Sequence, residues 1–261
     1  MKRLSLVAIS IICLVVPSVR GTTLFSEAFN YTAGSGLQNQ VNPGNSGTWT
    51  GGNSGLNIGS GDLTYAGLPD QGGNELSISN ASAGTSINQF ANVTSGQVYY
   101  SFLLDVTTVD GANDYFTALN PGTSTPNGSG DAINAYLYSN GKIGLRTAGK
   151  STVTSASALS LDTTYFVVLE YDFTTANASL YLNPTPGDSQ PTATLTLAGS
   201  GTVAAIDNVG FKAQSATGDF LVDNLLIGTT WADVTSVPEP ATFALAGLGL
   251  LGLAGYRRMR R

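Results

Sequence analysis

The sequence contains no histidine, and its single cysteine, Cys13, lies in an apolar stretch near the N-terminus. The absence of histidine excludes Ser-His-Asp and Cys-His nucleophilic catalysis and the common zinc sites. A chain cleaved after that apolar stretch would have no cysteine, which also excludes thiolate chemistry and disulfides.

Positive charge is also scarce in the main body of the chain. Residues 22–236 contain four basic residues against sixteen acidic ones, a net charge of −12. The basic residues are Lys142, Arg146, Lys150 and Lys212. A domain with this charge repels nucleic acid and anionic lipid, so we expect no nucleic-acid partner.

The N-terminus has the composition of a secretory signal peptide. Lys2 and Arg3 precede an apolar run of thirteen residues, 4–16, and a short turn-forming segment follows at 17–21. This order predicts a signal peptide over residues 1–21, with cleavage before Thr22. We therefore expect an exported protein that uses the secretion machinery.

The C-terminal segment, residues 237–261, combines three features in a fixed order. Val237, Pro238, Glu239 and Pro240 form a rigid break, sixteen residues without charge follow at 241–256, and four arginines end the chain. As a helix the apolar run would be about 24 Å long, slightly shorter than a ~30 Å hydrocarbon core. We expect this run to be a transmembrane helix that holds the precursor in the inner membrane. Because arginines favour the cytoplasmic side, the residues before Pro238 should lie on the opposite side.

This order of Pro-Glu-Pro, a glycine-rich apolar span and an arginine cluster resembles the PEP-CTERM sorting signal of exported bacterial proteins. The resemblance implies that an exosortase, a membrane protease-transpeptidase, recognises Pro238, Glu239 and Pro240. Processing there would release the protein from its membrane helix. The mature protein would then reach the cell surface or the extracellular matrix.

The segment between these two signals, residues 22–236, has the pattern of an all-β domain. Strong strand patterns occur at 97–107, 165–173 and 219–228, and Ser139-Asn140-Gly141 is typical of a hairpin turn. A 3.6-residue apolar stripe is absent before residue 241. We predict one antiparallel β-sandwich, of the jelly-roll type, over residues 22–236.

The sequences YFVVLEYDF at 165–173, ASLYLNP at 178–184 and FLVDNLLIGTTWADV at 220–234 resemble the closing strands of the laminin-G or concanavalin A-like superfamily. The resemblance implies two stacked, curved sheets, of which the concave one often binds sugars. A shared fold does not by itself transfer a function.

Sugar binding requires aromatic rings beside hydrogen-bonding groups on an exposed face. The candidate aromatic residues are Trp49, Tyr65, Tyr99, Tyr115, Tyr136, Tyr138 and Trp231. We favour Trp49, Tyr136, Tyr138 and Trp231, of which Tyr136 and Tyr138 share a strand face. Calcium requires clustered oxygen ligands. The candidates for a calcium site are Asp105, Asp110, Asp114 and Asp223.

These features predict a non-catalytic protein of the envelope or extracellular matrix that binds polysaccharide. Two alternatives stay open. A polysaccharide hydrolase or lyase would need paired carboxylates, and Glu170 and Asp172 face the same side of a strand. A purely structural or adhesive surface protein would need neither a ligand face nor a catalytic pair.

Overall fold

The computed structural model describes residues 23–236, except residues 45, 46, 53, 81, 124 and 202. The predicted signal peptide and the predicted transmembrane helix lie outside the described residues. Within the described part of the chain, no helix has the length and apolar character needed to cross a membrane.

Short strands account for almost all the regular structure between residues 23 and 236, and one short helix follows them. They are β1 Thr23–Glu27, β2 Thr50–Gly51, β3 Leu56–Ile58, β4 Leu76–Ile78, β5 Gly84–Val93, β6 Gln97–Val106, β7 Asp114–Asn120, β8 Ile133–Leu137, β9 Ile143–Thr147, β10 Val153–Thr154, β11 Thr164–Asp172, β12 Asn177–Leu182, β13 Leu195–Leu197, β14 Ile206–Ala213, β15 Phe220–Gly228 and α1 Trp231–Thr235.

The strands form two antiparallel sheets. The eight-stranded sheet has the order β13-β12-β11-β6-β15-β4-β3, with β1 also paired to β15. The seven-stranded sheet has the order β10-β9-β8-β7-β14-β5-β2. The predicted antiparallel β-sandwich is thereby confirmed.

The main core lies between the two sheets. Phe116 of the seven-stranded sheet packs against Phe102 and Phe220 of the other sheet, with ring centroids 6.0 and 4.9 Å apart. The hydroxyl groups of Tyr100 and Thr117 meet across the same space at 2.7 Å. Inward residues alternate with outward ones along β8, where Ile133 and Leu137 are buried in this core.

The eight-stranded sheet carries a second apolar layer on its outer face. Leu103 and Phe166 are buried there beneath Leu63, Trp231 and other side chains outside the sheet. The helix α1 is fixed to this face because Ser101 Oγ donates a hydrogen bond to the Val234 carbonyl at 2.9 Å. Burial on both faces explains why β6 and β11 read as continuous apolar runs.

Trp49 belongs to the core, so the expectation that its ring forms part of a sugar-binding surface is wrong. Its ring is 0% exposed and packs against Phe25, Phe29 and Phe211. Its indole N–H donates to the buried Glu27 carboxylate at 2.9 Å. Burial raises the pKa of Glu27, and this hydrogen bond opposes the rise.

We predict that Trp49→Phe destabilises the protein by about 1–3 kcal/mol, since the Glu27 carboxylate then loses a donor in a buried place. Urea unfolding followed by far-UV circular dichroism measures the change. The control is Leu161→Ala, at a side chain that is 46% exposed, which should stay within about 0.5 kcal/mol of the wild type. Equal unfolding midpoints for the two variants would contradict this role of the hydrogen bond.

Candidate functional site

The outer face of the seven-stranded sheet carries three neighbouring tyrosines, Tyr115, Tyr136 and Tyr138, which we call the tyrosine face. Tyr115 in β7 lies opposite Tyr136 in β8, and their ring centroids are 5.8 Å apart. The Tyr138 ring follows at 6.3 Å from Tyr136. The structure thus brings the predicted pair Tyr136 and Tyr138 together, and strand pairing places a third candidate, Tyr115, beside Tyr136.

Tyr138 is the most accessible residue of the tyrosine face, because it is half-buried whereas Tyr115 and Tyr136 are buried. Its ring lies over a glycine. Gly144 in β9 is the cross-strand partner of Tyr136. A Cβ atom at Gly144 would lie 2.9 Å from Cε2 of Tyr138 and 3.1 Å from Cβ of Tyr136. The missing side chain therefore lets the Tyr138 ring approach the sheet closely.

Tyr115 and Tyr136 support this ring from the side and are 8% and 7% exposed. The loop between β7 and β8 covers them, since the Tyr115 hydroxyl donates to the Pro126 carbonyl at 2.7 Å. Asp131 stabilises the loop by accepting the backbone N–H groups of Asn127 at 3.1 Å and Gly128 at 2.7 Å. The tyrosine face thus has a fixed shape before any ligand binds.

Two cations lie on the tyrosine face. Arg146 donates from Nη1 to the Tyr136 hydroxyl at 2.9 Å and from Nε to the Lys150 carbonyl at 2.9 Å. Lys212 Nζ lies 2.6 Å from a carboxylate oxygen of Asp114 and 4.3 Å from the Tyr115 ring centroid. Burial raises the pKa of Tyr136, although Arg146 opposes the rise, so its hydroxyl is protonated at neutral pH.

Trp231 lies elsewhere, on the outer face of the eight-stranded sheet. Its ring is 8% exposed and packs edge-on against Tyr181 and Tyr99, with centroids 4.9 and 6.1 Å away. Its indole N–H donates to the Asp188 carbonyl at 2.9 Å. Trp231 therefore helps to fix α1 and the neighbouring loop, and it is not part of the tyrosine face.

The paired acids of β11 are each engaged in structural hydrogen bonds. The Glu170 carboxylate accepts the Tyr99 hydroxyl at 3.2 Å and the Tyr181 hydroxyl at 2.6 Å. Asp172 accepts the backbone N–H of Thr174 at 2.7 Å, which shapes the turn after β11. These contacts use both carboxylates to hold the eight-stranded sheet and its turn.

The four aspartates suggested for calcium lie in different settings. Asp105 is near the Thr164 hydroxyl at 3.5 Å, Asp110 accepts the Gly111 N–H at 2.7 Å, and Asp114 pairs with Lys212. Among the described residues, no three acidic side chains form a group that could hold a metal ion. The calcium site stays a prediction that this arrangement does not support.

Asp223 is the buried one of these aspartates and is 0% exposed. It accepts the backbone N–H groups of Leu63 at 3.0 Å and Asn224 at 2.7 Å. Burial, reinforced by the neighbouring Asp62 carboxyl group, raises the pKa of Asp223 to about 8. A carboxyl group that is largely protonated at neutral pH is a poor calcium ligand. Asp62 is far from it in sequence, and only the fold shows the pair.

Comparison with known families identifies the C-terminal segment. The model of the PEP-CTERM protein-sorting motif matches residues 236–261. The sorting motif expected from the sequence is thereby confirmed, although all but its first residue lie outside the described part of the structure. The motif indicates an exported protein that is processed at the cell envelope. Among curated proteins, no sequence matches the chain.

Solved structures with a similar fold include a Trypanosoma rangeli sialidase in complex with the inhibitor DANA and the globular domain of T. cruzi calreticulin. The sialidase match has a TM-score of 0.51 at 12% identity and covers 79% of this chain but 30% of the sialidase. The calreticulin match has a TM-score of 0.50 at 12% identity and covers 92% of this chain and 99% of that domain. The chain spans only 20–33% of the sialidases it resembles. At these identities the likeness concerns the β-sandwich fold alone.

We predict that Asp223 makes the protein less stable as the pH rises. Its folded pKa of about 8 lies above the ordinary value of 3.8, so the folded state binds the proton more tightly. The stabilisation is complete below the ordinary pKa and is lost as the pH rises through the folded pKa. The unfolding free energy of the wild type relative to Asp223→Asn should fall by ~1.4 kcal/mol per pH unit between about pH 5 and pH 7.

Urea unfolding at a series of pH values measures this difference. Asp70→Asn, at an exposed aspartate, is the matched control and should run parallel to the wild type. A constant difference between the wild type and Asp223→Asn across this range would contradict the protonated state of Asp223.

Proposed function

We propose that the mature protein is a non-catalytic component of the bacterial envelope or extracellular matrix, and that its sandwich binds polysaccharide through the tyrosine face. The observation that carries the proposal is the half-buried Tyr138 ring lying across Gly144. It is backed by Tyr136 and lies on the same face as the Arg146 guanidinium.

The chemistry of this surface suits a sugar ring. The C–H groups of a pyranose pack on an aromatic ring, while nearby polar groups bind its hydroxyls and fix its orientation. Tyr138 supplies the ring, and Arg146 and the Tyr136 hydroxyl supply polar groups beside it. Because sheet pairing and the Asp131-stabilised loop fix these side chains beforehand, binding orders few groups.

The sorting motif supports the place of action. The proposed route is export through the secretion machinery, retention by residues 241–256 as a membrane helix, and release by an exosortase near Pro238, Glu239 and Pro240. The protein would then meet polysaccharide at the cell surface or in the extracellular matrix.

We predict that Tyr138→Ala weakens polysaccharide binding at least about tenfold, a loss of ~1.4 kcal/mol, because the stacking ring is removed. Tyr138→Phe is the matched control, since it keeps the ring and should bind within about threefold of the wild type. A glycan array, followed by titration of the polymers that bind, measures both. Unchanged thermal unfolding of the variants shows that the sandwich is intact.

The same samples test the alternatives. Release of reducing ends or unsaturated sugars from a bound polymer would favour a hydrolase or lyase, and loss of binding in EDTA would favour a calcium site. If the folded wild type bound no polysaccharide at all, the proposal would fail and a structural or adhesive role would remain.

A further inference from the structure

We infer that the tyrosine face selects polysaccharides that carry isolated carboxylate groups, with the Arg146 guanidinium as the carboxylate receptor. This inference rests on the proposed function, and it adds the chemical class of the ligand. It comes from the placement of positive charge in a strongly acidic domain.

The four basic residues of the 22–236 segment all lie in or beside the seven-stranded sheet. Lys142 immediately precedes β9, and strand alternation places it on the same outer face as Gly144 and Arg146. Lys150 follows β9 closely, and its carbonyl accepts the Arg146 Nε–H group. Lys212 extends from β14 over the Tyr115 ring. Two carboxylates also lie near Tyr115, but Asp114 is paired with Lys212 and Asp131 accepts backbone N–H groups of the loop.

Arg146 has no carboxylate partner within the part of the chain that the structure describes. Between described residues, the one ion pair joins Lys212 to Asp114. The Arg146 contacts are to neutral oxygens, the Tyr136 hydroxyl and the Lys150 carbonyl. Both N–H groups on Nη2 have no partner among the described residues. The guanidinium is therefore held in a fixed orientation with hydrogen-bonding capacity left over.

A carboxylate is the natural complement of such a group. The planar guanidinium presents parallel N–H donors that match the two oxygens of a carboxylate, and a lysine lacks this geometry. Arg146 is half-buried beside aromatic rings, where a charge is less well solvated than in open water. An external carboxylate would supply the missing negative charge next to the ring on which a neighbouring sugar stacks.

The charge of the whole domain limits how many carboxylates such a ligand can carry. With a net charge of −12 over residues 22–236, the domain repels densely charged polymers such as nucleic acid, because many of their charges come within a Debye length of about 8 Å of its carboxylates. Lys212 is already neutralised by Asp114. The surface therefore suits a polymer with single carboxylates among neutral sugars, in which one uronate meets Arg146 and a neighbouring residue packs on Tyr138.

The test uses the full-length protein in a non-ionic detergent and three uronate polymers: hyaluronan, alginate and polygalacturonate. Each is paired with its carboxyl-reduced derivative, which has the same linkages without the charge. We expect hyaluronan, in which uronates alternate with neutral sugars, to bind about tenfold or more tightly than its reduced form, because a charge-assisted hydrogen bond contributes ~1.5–3 kcal/mol. Arg146→Gln should abolish this preference, and Arg146→Lys should keep only part of it. Alginate and polygalacturonate, which carry a carboxylate on every sugar, should bind more weakly than hyaluronan, and the opposite order would overturn the selection for isolated carboxylates.

The matched control is Arg261→Gln, which removes the same charge from the C-terminal arginine cluster and should keep the preference. Thermal unfolding checks that each variant is folded. Equal binding of acidic and reduced polymers would overturn the carboxylate inference and leave polysaccharide binding standing. An equal loss in Arg146→Gln and Arg261→Gln would overturn the assignment to Arg146. If none of these acidic or reduced polymers binds while another polymer of the glycan array does, the carboxylate inference alone is overturned; if no polysaccharide binds at all, the proposed function is overturned as well.

Discussion

The pairing of β7, β8 and β9 is the constraint on which the tyrosine face depends. Alternation along β8 sends Ile133, Ala135 and Leu137 into the core, which forces Tyr136 and Tyr138 to the outer face. A shift of one residue in this register would bury the tyrosines and expose the apolar side chains. The core thus fixes the position of the rings, and Gly144 beneath them sets how closely they approach the sheet.

The two outer faces of the sandwich differ in how far their polar groups are used in internal contacts. The face of the eight-stranded sheet is covered by α1 and neighbouring segments, and its polar groups are used internally: Glu170 accepts from Tyr181, and Trp231 donates to the Asp188 carbonyl. The seven-stranded sheet leaves Tyr138 half-buried and Arg146 with unused donors. For this reason the proposed binding site is the face with Tyr138 and Arg146, close to all the basic residues of the sandwich.

Sequence patterns predicted those features that depend on neighbouring residues. The strand expected at 97–107 is β6, Gln97–Val106, and the turn at Ser139-Asn140-Gly141 joins β8 to β9. The shared face of Tyr136 and Tyr138 followed from alternation alone. Contacts between distant segments could not be predicted in this way. Nothing local to Trp49 shows that Glu27 accepts its indole N–H, and nothing local to Asp223 indicates Asp62.

Hydrogen–deuterium exchange with a bound polysaccharide tests the central claim most directly, because it locates the ligand without any substitution. The account predicts slower exchange in β8, β9 and the hairpin turn between them, together with the loop over Tyr115, since these segments form the tyrosine face. Exchange in α1 and the segment around Asp188 should not change. Protection confined to α1 and that segment, with none in β8 or β9, would contradict the account and place the ligand on the opposite face.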